Sequence, residues 1–348
     1  MAKKTVQCEA WLGVILNETL PEPKQIEPDK AILNKRPVNL VDSSCIKQVG
    51  SKGTIIRTHM CYSLTRKRME EIAVTDHRTA DSFQMFNIKP GEIYIADAGY
   101  GMGKYLEHIA SFGADAILRV TPNQLSIAKD PDGKEKIDMA KELEALDVNK
   151  NSIDFRCFVH TEKGKYIPVR MIASRLPEDK IAKSIKRKKR RAQKSKSKIR
   201  PETLIYAQWV FLITSLDEES YSTEDVLKLY RLRWQVELLF KRIKQFFKIT
   251  RIKAATVQHS KVLVLCWLIV WTLTERQTVS AELFLLNNHA DMSRYSLWSI
   301  SGFFFLHLKS LISSLLSLCE NIDVAAIFKR LRNHNSERYN QFANAVFP

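Results

Sequence analysis

The stretch that most constrains this chain is Ser222–Lys248, STEDVLKLYRLRWQVELLFKRIKQFFK, which keeps a helical period with no Gly or Pro along its whole length. Ser222 with Asp225 three residues on forms a capping-box start. At about 100° per residue, Leu229, Leu232, Val236, Leu239, Phe240, Ile243 and Phe247 gather on one side and call for a core to cover them. Tyr230, Arg233, Glu237 and Lys244 make a second stripe. Their spacing puts all four within roughly 60° of one another, beside the apolar stripe rather than opposite it. One helix is therefore expected over 222–248, with polar side chains lining the edge of a buried surface. An ordinary amphipathic helix would use the same residues as two i,i+4 pairs, Arg233 with Glu237 and Glu237 with Lys241.

The chain of 348 residues can bury one large core with insertions, or two domains. Its 55 Lys and Arg against 38 Asp and Glu favour a polyanionic partner, nucleic acid or an anionic membrane surface. Membrane attachment is the weaker choice, because the longest apolar run, Val262–Leu273, is too short to span a bilayer and the Phe303–Leu318 region is interrupted by His307, Lys309 and serines. MAKKTVQCEA has no apolar segment of a cleavable signal. Cys8, Cys45, Cys61, Cys157, Cys266 and Cys319 are scattered without zinc-site spacing, which reads as reduced thiols in a cytosolic protein.

Along the chain, residues 1–37 hold a short apolar helix candidate, Trp11–Leu20, and the Pro- and charge-rich linker PEPKQIEPDK. From Val38 the pattern becomes strands: VNLVDSS, TIIRTHMCYSL and MEEIAVTD, the last two joined by the polar turn Thr65–Lys67. A short helix is expected over Arg78–Asn87. EIYIADAGYG follows, with Ile93 and Ile95 alternating with more polar neighbours and Asp97 at the strand's C-terminal end, then a helix over Lys104–Phe112 and a fifth strand, Ala114–Val120. Within 122–204, a turn at Lys163-Gly164 joins the strand candidates DFRCFVH and YIPVRMIAS. Of the eighteen residues Lys183–Arg200, eleven are Lys or Arg and none is acidic. This is either a disordered, solvated tail or a surface for phosphate backbones, whose binding would weaken steeply with salt. LIYAQWVFLITSL reads as a nearly continuous apolar strand. Beyond Arg251, HSKVLVLCWLIVWTLTE and SLWSISGFFFLHLKSLISSLLSL suggest packed helices, with Trp267 and Trp271 as core rather than stacking platforms.

The spacing Y-x2-R-x3-E-x6-K, met by Tyr230, Arg233, Glu237 and Lys244, resembles the signature of the insertion-sequence-four family of DDE transposases. In that family the Glu is the third metal-binding carboxylate, and the Tyr, Arg and Lys hold transposon DNA near its cleaved end. The family's motifs also match Asp42 in VDSS, where D-G-S or D-A-T is usual, and Asp97 in ADAGY, matching D-x-G-Y. The resemblance covers roughly Val38–Arg251. It implies an α/β, ribonuclease H-like mixed sheet in which the first and fourth strands lie side by side and bring Asp42 and Asp97, each ending its strand, to one edge. The implied organisation is a linker or remnant over 1–37, core over 38–121, a β-rich insertion ending in a basic segment over 122–204, core again over 205–250, and a helical C-terminal region over 251–348. Members usually carry a helical end-recognition domain of several dozen more residues at the N-terminus, which this reading expects the chain to lack.

Phosphodiester cleavage of this kind uses divalent ions, and Asp42, Asp97 and Glu237 are the expected catalytic, metal-holding set for Mg²⁺, with Mn²⁺ able to substitute. Asp76, Asp81 and Glu92 are neighbouring acids that compete for the first two places. Arg119, Tyr230, Arg233 and Lys244, with Lys186, Arg187, Lys188, Lys189, Arg190 and Arg191, are the expected DNA contacts. The expected partners are DNA, as terminal inverted repeats and target, and a second copy of the chain in a homodimer; no membrane is expected, and the location is the cytoplasm at the nucleoid. Gly99, Gly101, Gly103 and Lys104 stand where a nucleotide phosphate loop belongs, but the spacing is one residue short and Tyr105 replaces the metal-binding Ser or Thr. Two rival readings are a truncated, noncatalytic DNA-binding remnant and a ribonuclease H-like nuclease without strand transfer.

Overall fold

The alternating apolar runs that begin at Val38 build one pleated sheet. The computed structural model describes residues 2–17, 36–48, 54–146, 150–247, 251–252, 254, 256–287, 300–308 and 310. Strands β1 (Val38–Gln48), β2 (Thr54–Ser63) and β3 (Arg68–Asp76) form an antiparallel meander, and Lys67 takes a left-handed conformation in the polar turn between the last two. The chain then crosses over to β4 (Ile93–Ala96), parallel to β1, and through helix α2 (Gly103–Ser111) to β5 (Asp115–Val120), parallel to β4. The order β3-β2-β1-β4-β5 is the expected ribonuclease H-like arrangement, with the first and fourth strands adjacent.

The segment expected as an insertion follows. Strand β6 (Ile127–Ala128), helix α3 (Met139–Glu144), the hairpin β7 (Ser152–His160) and β8 (Tyr166–Arg175), then helices α4 (Glu178–Lys194) and α5 (Pro201–Tyr206), lead back to strand β9 (Trp209–Thr214). Strand β9 pairs antiparallel with β5 on one side and with β8 on the other, so the insertion's strands continue the core sheet. Arg170, buried on β8, donates to the carbonyls of Leu216, Asp217 and Tyr221 and pairs with Asp154 on β7, which also accepts from the Thr223 hydroxyl. The insertion is thereby fastened to the start of the next helix.

That helical stretch is two helices, α6 (Thr223–Leu232) and α7 (Trp234–Phe246), where one was expected; Lys248 lies outside the described residues. The capping box of Ser222 and Asp225 is present. The break falls at Arg233, which keeps helical φ and ψ while its N–H reaches the Tyr230 carbonyl and its own carbonyl accepts from Val236. Both bonds span three residues, so the turn tightens without Gly or Pro. Strand β10 (Arg251–Ile252) pairs parallel with the end of β1, and helix α8 (Val257–Asn287) follows.

Each face of the sheet is covered. On one, Leu40, Ile95, Ile117 and Leu212 pack with Leu229, Val236, Leu239 and Ile243 of α6–α7 and with Leu268 and Trp271 of α8. On the other, Val41, Tyr94, Ala96 and Leu118 pack with Leu106 and Ile109 of α2 and with Phe83, Phe86 and Phe211. Strand β4 is therefore buried on both faces, not alternately exposed. Trp267 and Trp271 are core.

Other expectations change. Arg78–Asn87 holds only a single turn at Phe83–Met85, because Phe83, Phe86 and Ile88 are all drawn into the core, a spacing a regular helix would not satisfy. The run LIYAQWVFLITSL begins as α5, with Pro201 and Glu202 in its first turn, and turns to strand only at Trp209. The basic segment is mostly the ordered helix α4, with Glu178 and Asp179 at its N-terminus, Arg191 and Lys194 at its C-terminus, and Ile181 buried beneath. Near the N-terminus, helix α1 spans Ala2–Asn17 and packs on α8 through Cys8 and Leu12, with Glu9 and Lys261 paired at 2.8 Å. The PEPKQIEPDK stretch lies outside the described residues, as does most of the second C-terminal apolar stretch, of which 300–308 and 310 are helical. Val257–Ala281 of α8 is long and apolar enough to cross a membrane by length and composition, which the count of uninterrupted apolar residues did not register. In this fold its Val264, Leu265, Leu268 and Trp271 are buried in the core.

Candidate active site

The parallel register of β1 and β4 sets the site. Val41 pairs with Ala96, and the next residue on each strand is an aspartate, Asp42 and Asp97. Alternation places Asp42 on the face of Leu40, the face covered by α6 and α7. Asp42 does not end its strand as expected: β1 runs on to Gln48, held by β2 and β10. What ends there is the pairing with β4, and that opens the space beside the two carboxylates. Each accepts a backbone N–H, from Ser43 at 2.8 Å for Asp42 and from Gly99 at 2.8 Å for Asp97.

Across this space Arg233 projects from the α6–α7 junction. Its guanidinium donates to Glu237 at 2.6 Å and lies 3.9 Å from the Asp42 carboxylate, with the Tyr230 ring 5.7 Å away. The i,i+4 pair with Glu237 foreseen from spacing is present; Glu237 with Lys241 is not, since Lys241 lies over the Trp234 ring at 4.9 Å. Burial, opposed by the Ser43 N–H and Arg233 and reinforced by Asp97 and Glu237, pushes the Asp42 carboxyl up to about 7. Burial also raises the Tyr230 phenol, against the pull of Arg233 and Arg119. Three carboxylates thus share one partly desolvated space with a single bridging guanidinium.

The oxygen-only donor set of Asp42, Asp97 and Glu237 suits a hard divalent ion, and a carboxyl held near 7 by burial and neighbouring acids would gain from one. Among the described residues no three His, Cys, Asp or Glu side chains stand close enough together to enclose an ion. Arg233 bridges two of the carboxylates instead.

The other expected residues fall around this cluster. Arg119, near the end of β5, is half-buried and close enough to Tyr230 and to Lys188 for the charges to act on one another; it makes no ion pair with a described carboxylate. Lys188 is half-buried on the inner face of α4, while Lys186, Arg187, Lys189, Arg190 and Arg191 are exposed. Lys244 lies two turns beyond Glu237 on α7, half-buried and without an ion pair among the described residues. Of the competing acids, Asp76 is the exposed last residue of β3, accepting from the N–H groups of Arg78 and Thr79, and Glu92 is buried at the opposite end of β4 with Asn39 and Arg66. Asp81 lies beside Asp97, on a loop whose path spacing alone could not trace. Its neighbour Tyr100, fully buried among the acids, was not singled out beyond its place in D-x-G-Y.

The glycine loop has a packing role. A Cβ on Gly101 would stand 2.2 Å from the Arg119 carbonyl oxygen, and one on Gly103 would stand 2.2 Å from that of His160. These glycines let backbones approach, and the loop is not free to cradle a phosphate.

Residues 33–273 match the Transposase DDE domain family. Over 265 residues the chain is 30% identical to the putative transposase InsL of insertion sequence element IS186A from Escherichia coli K12 and to the transposase of element IS421 from Escherichia coli, covering 75% of this chain and 70% of each relative. The transposase of IS1151 from Clostridium perfringens is 24% identical over 181 residues, 48% of this chain and 38% of that protein. A looser likeness, with a TM-score of 0.40 and 11% identity, runs to the piggyBac transposase synaptic complex with hairpin DNA, over 85% of this chain and 58% of that one; it is too low to bear on the site. The family match spans more than half of the chain: the chain belongs to the DDE-domain transposases.

Proposed function

We propose that this transposase is of the insertion-sequence-four type, cleaving DNA at the ends of its element and joining the freed 3′-hydroxyls to target DNA. The observation that carries the reading is the juxtaposition of Asp42, Asp97 and Glu237, drawn from two strands and a helix, around Arg233. DDE transposases generally use divalent metal ions. Here Asp42, Asp97 and Glu237 would hold Mg²⁺, with Mn²⁺ as a substitute. Ions in such a site supply activation of the attacking oxygen and charge stabilisation of the departing one in an in-line displacement.

The chain's own residues position the DNA. Arg233 and Tyr230 form a lip where a phosphate can compete with Glu237 for the guanidinium, and Lys244 extends the lip along α7. Arg119 and Lys188 lie close enough for their charges to act on one another, and the exposed Lys186, Arg187, Lys189, Arg190 and Arg191 of α4 continue the basic surface outward. A flanking duplex laid on this surface would meet many cations before its end reached the carboxylates. A homodimer on paired element ends, in the cytoplasm at the nucleoid and without a membrane partner, completes the reading.

The test is nicking of a plasmid that carries the reading frame's flanking DNA, with Mg²⁺ or Mn²⁺, by the wild type and by Glu237→Gln. Cleavage at the element boundary by the wild type alone, with DNA affinity retained by the variant, is the expected result, and donor joined to target separates transposition from simple hydrolysis. Equal cleavage by both overturns the assignment of Glu237. Salt-sensitive binding with no cleavage by either assigns the chain to a noncatalytic remnant.

A further inference from the structure

Two thiols meet where α1 lies on α8. Helix α1 is seated there by Leu12, by the Gln258 side-chain amide donating to the Thr5 hydroxyl, and by the Glu9–Lys261 ion pair. Among these fixed points, Cys8 of α1 and Cys266 of α8 stand with their Sγ atoms 4.0 Å apart. The two residues are 258 positions apart in the chain, so only the packing of one helix on the other brings them together. A sulfur–sulfur bond is about 2.05 Å long, and closure therefore needs an approach of about 2 Å. Rotation of two short side chains, with a small shift of helix against helix, can supply it.

The remaining described cysteines stand elsewhere. Cys61 and Cys157 are buried in the core on the opposite face of the sheet, and Cys45 is exposed on β1. Cys8 is buried, whereas Cys266 is half-buried and gives solvent a way to the pair. Burial, and after it the neighbouring Cys8, push the Cys266 thiol up to about 12. The pair therefore rests as thiols and reacts slowly at neutral pH.

We propose that Cys8 and Cys266 are a redox-sensitive pair that closes to a disulfide on exposure to a small-molecule disulfide, fastening α1 covalently to α8. The Cys266 thiolate attacks one sulfur of the reagent and expels the first small thiolate; the Cys8 thiolate then attacks Cys266 Sγ in the mixed disulfide and expels the second. The protons of the two protein thiols end on the two small thiolates. The protein loses two electrons, and one reagent disulfide is reduced to two thiols. The new bond ties residues 2–17 to the helix whose Trp271 ring lies 5.7 Å from that of Phe246 on α7, the helix that carries Glu237 and Lys244. Reduced, α1 is held to α8 by noncovalent contacts alone; oxidised, it cannot leave.

The test incubates the folded full chain with oxidised glutathione at pH 8, blocks the remaining thiols with N-ethylmaleimide, and maps unreduced peptides by mass spectrometry. A linked peptide pair holding Cys8 and Cys266, split by dithiothreitol, is the expected result. Cys8 and Cys266 recovered only as maleimide or glutathione adducts, or either of them linked to a different cysteine, overturns the proposal. The linked protein is also expected to melt roughly 5 °C or more above the reduced one, since the bond closes a long loop in the unfolded chain. Cys8→Ser, oxidised in the same way, should melt where it does when reduced, and an equal rise in that variant overturns the fastening. Peptide mapping of the wild type needs no variant, so a misfolded Cys8→Ser would leave the proposal open to refutation.

Discussion

The Arg233 guanidinium lies 3.9 Å from the Asp42 carboxylate, and through it the helical side of the polar cluster is joined to the strand side. Both side chains are largely buried, at 13% and 15% exposure, so the charges are felt strongly. Arg233→Gln leaves Asp42 and Glu237 facing each other without a cation. The expected outcome is a further rise of the Asp42 carboxyl above 7, lost stability at pH 8 on the order of 2 kcal/mol, and cleavage reduced at least a hundredfold. Arg233→Lys should recover stability better than cleavage, because a point charge cannot span two acceptors as a guanidinium does. Chemical denaturation and single-turnover cleavage measure the two effects separately.

The sign of the Asp42 effect can be read from the stability of the metal-free protein. Its folded value near 7 lies above its unfolded value of 3.8, so between about pH 4 and 7 the folded state holds a proton that the unfolded state has released. Stability therefore falls as pH rises through that window and levels off above it. The full shift corresponds to roughly 4 kcal/mol, as an upper bound. Asp42→Asn, treated with chelator, should melt several degrees above the wild type at pH 8 and close to it at pH 4. An unchanged melting difference across the two pH values would contradict the assignment.

Helix α4 should reveal itself in salt dependence. Replacing the exposed Lys189 and Arg190 by Gln should lower the slope of log affinity against log salt by about 0.9 for each phosphate that is no longer neutralised. The cleavage rate at saturating DNA should change little, since these residues stand outside the carboxylate cluster. A slope equal to that of the wild type would leave α4 as a solvated helix.

Gly101→Ala tests the close approach beside Asp97. The new Cβ would meet the Arg119 carbonyl at 2.2 Å, and the obstacle is backbone in the sheet, which cannot swing aside. A loss of about 3 kcal/mol or more is expected, seen as a lower urea midpoint at unchanged m-value.

Much of this was legible from pattern. The meander, the crossover and the adjacency of the first and fourth strands follow from alternation, turn residues and the family resemblance, and the capping box marked the start of α6 correctly. The break at Arg233 was not legible, since its backbone stays helical and only the hydrogen-bond reach changes. Pro201 and Glu202 did announce a helix N-terminus, but the apolar run behind them hid the signal. The full length of β1 was hidden because what continues it beyond Asp42 is pairing with β2 and with Arg251–Ile252, a partner from the far end of the core. The spacing of Tyr230, Arg233, Glu237 and Lys244 fixed which side chains share a helix edge. That Arg233 would bridge two acids, and that Asp81 would stand beside Asp97, depended on loop paths and packing that no periodicity encodes.

Strand β9 has a consequence for how the molecule can be divided. In an uninserted sheet Trp209–Thr214 would be the last strand, with one row of backbone donors and acceptors open to solvent and Phe211 and Ile213 on a face robbed of its cover. Here β8 occupies that row along its length, from Arg175 opposite Trp209 to Arg170 opposite Thr214. Excising the insertion to make a minimal enzyme would thus create a bare, apolar sheet edge of the kind that recruits other chains into aggregates. A chain cut to leave out β6–β8 is therefore expected to aggregate more readily than the whole chain, seen as light scattering at equal concentration.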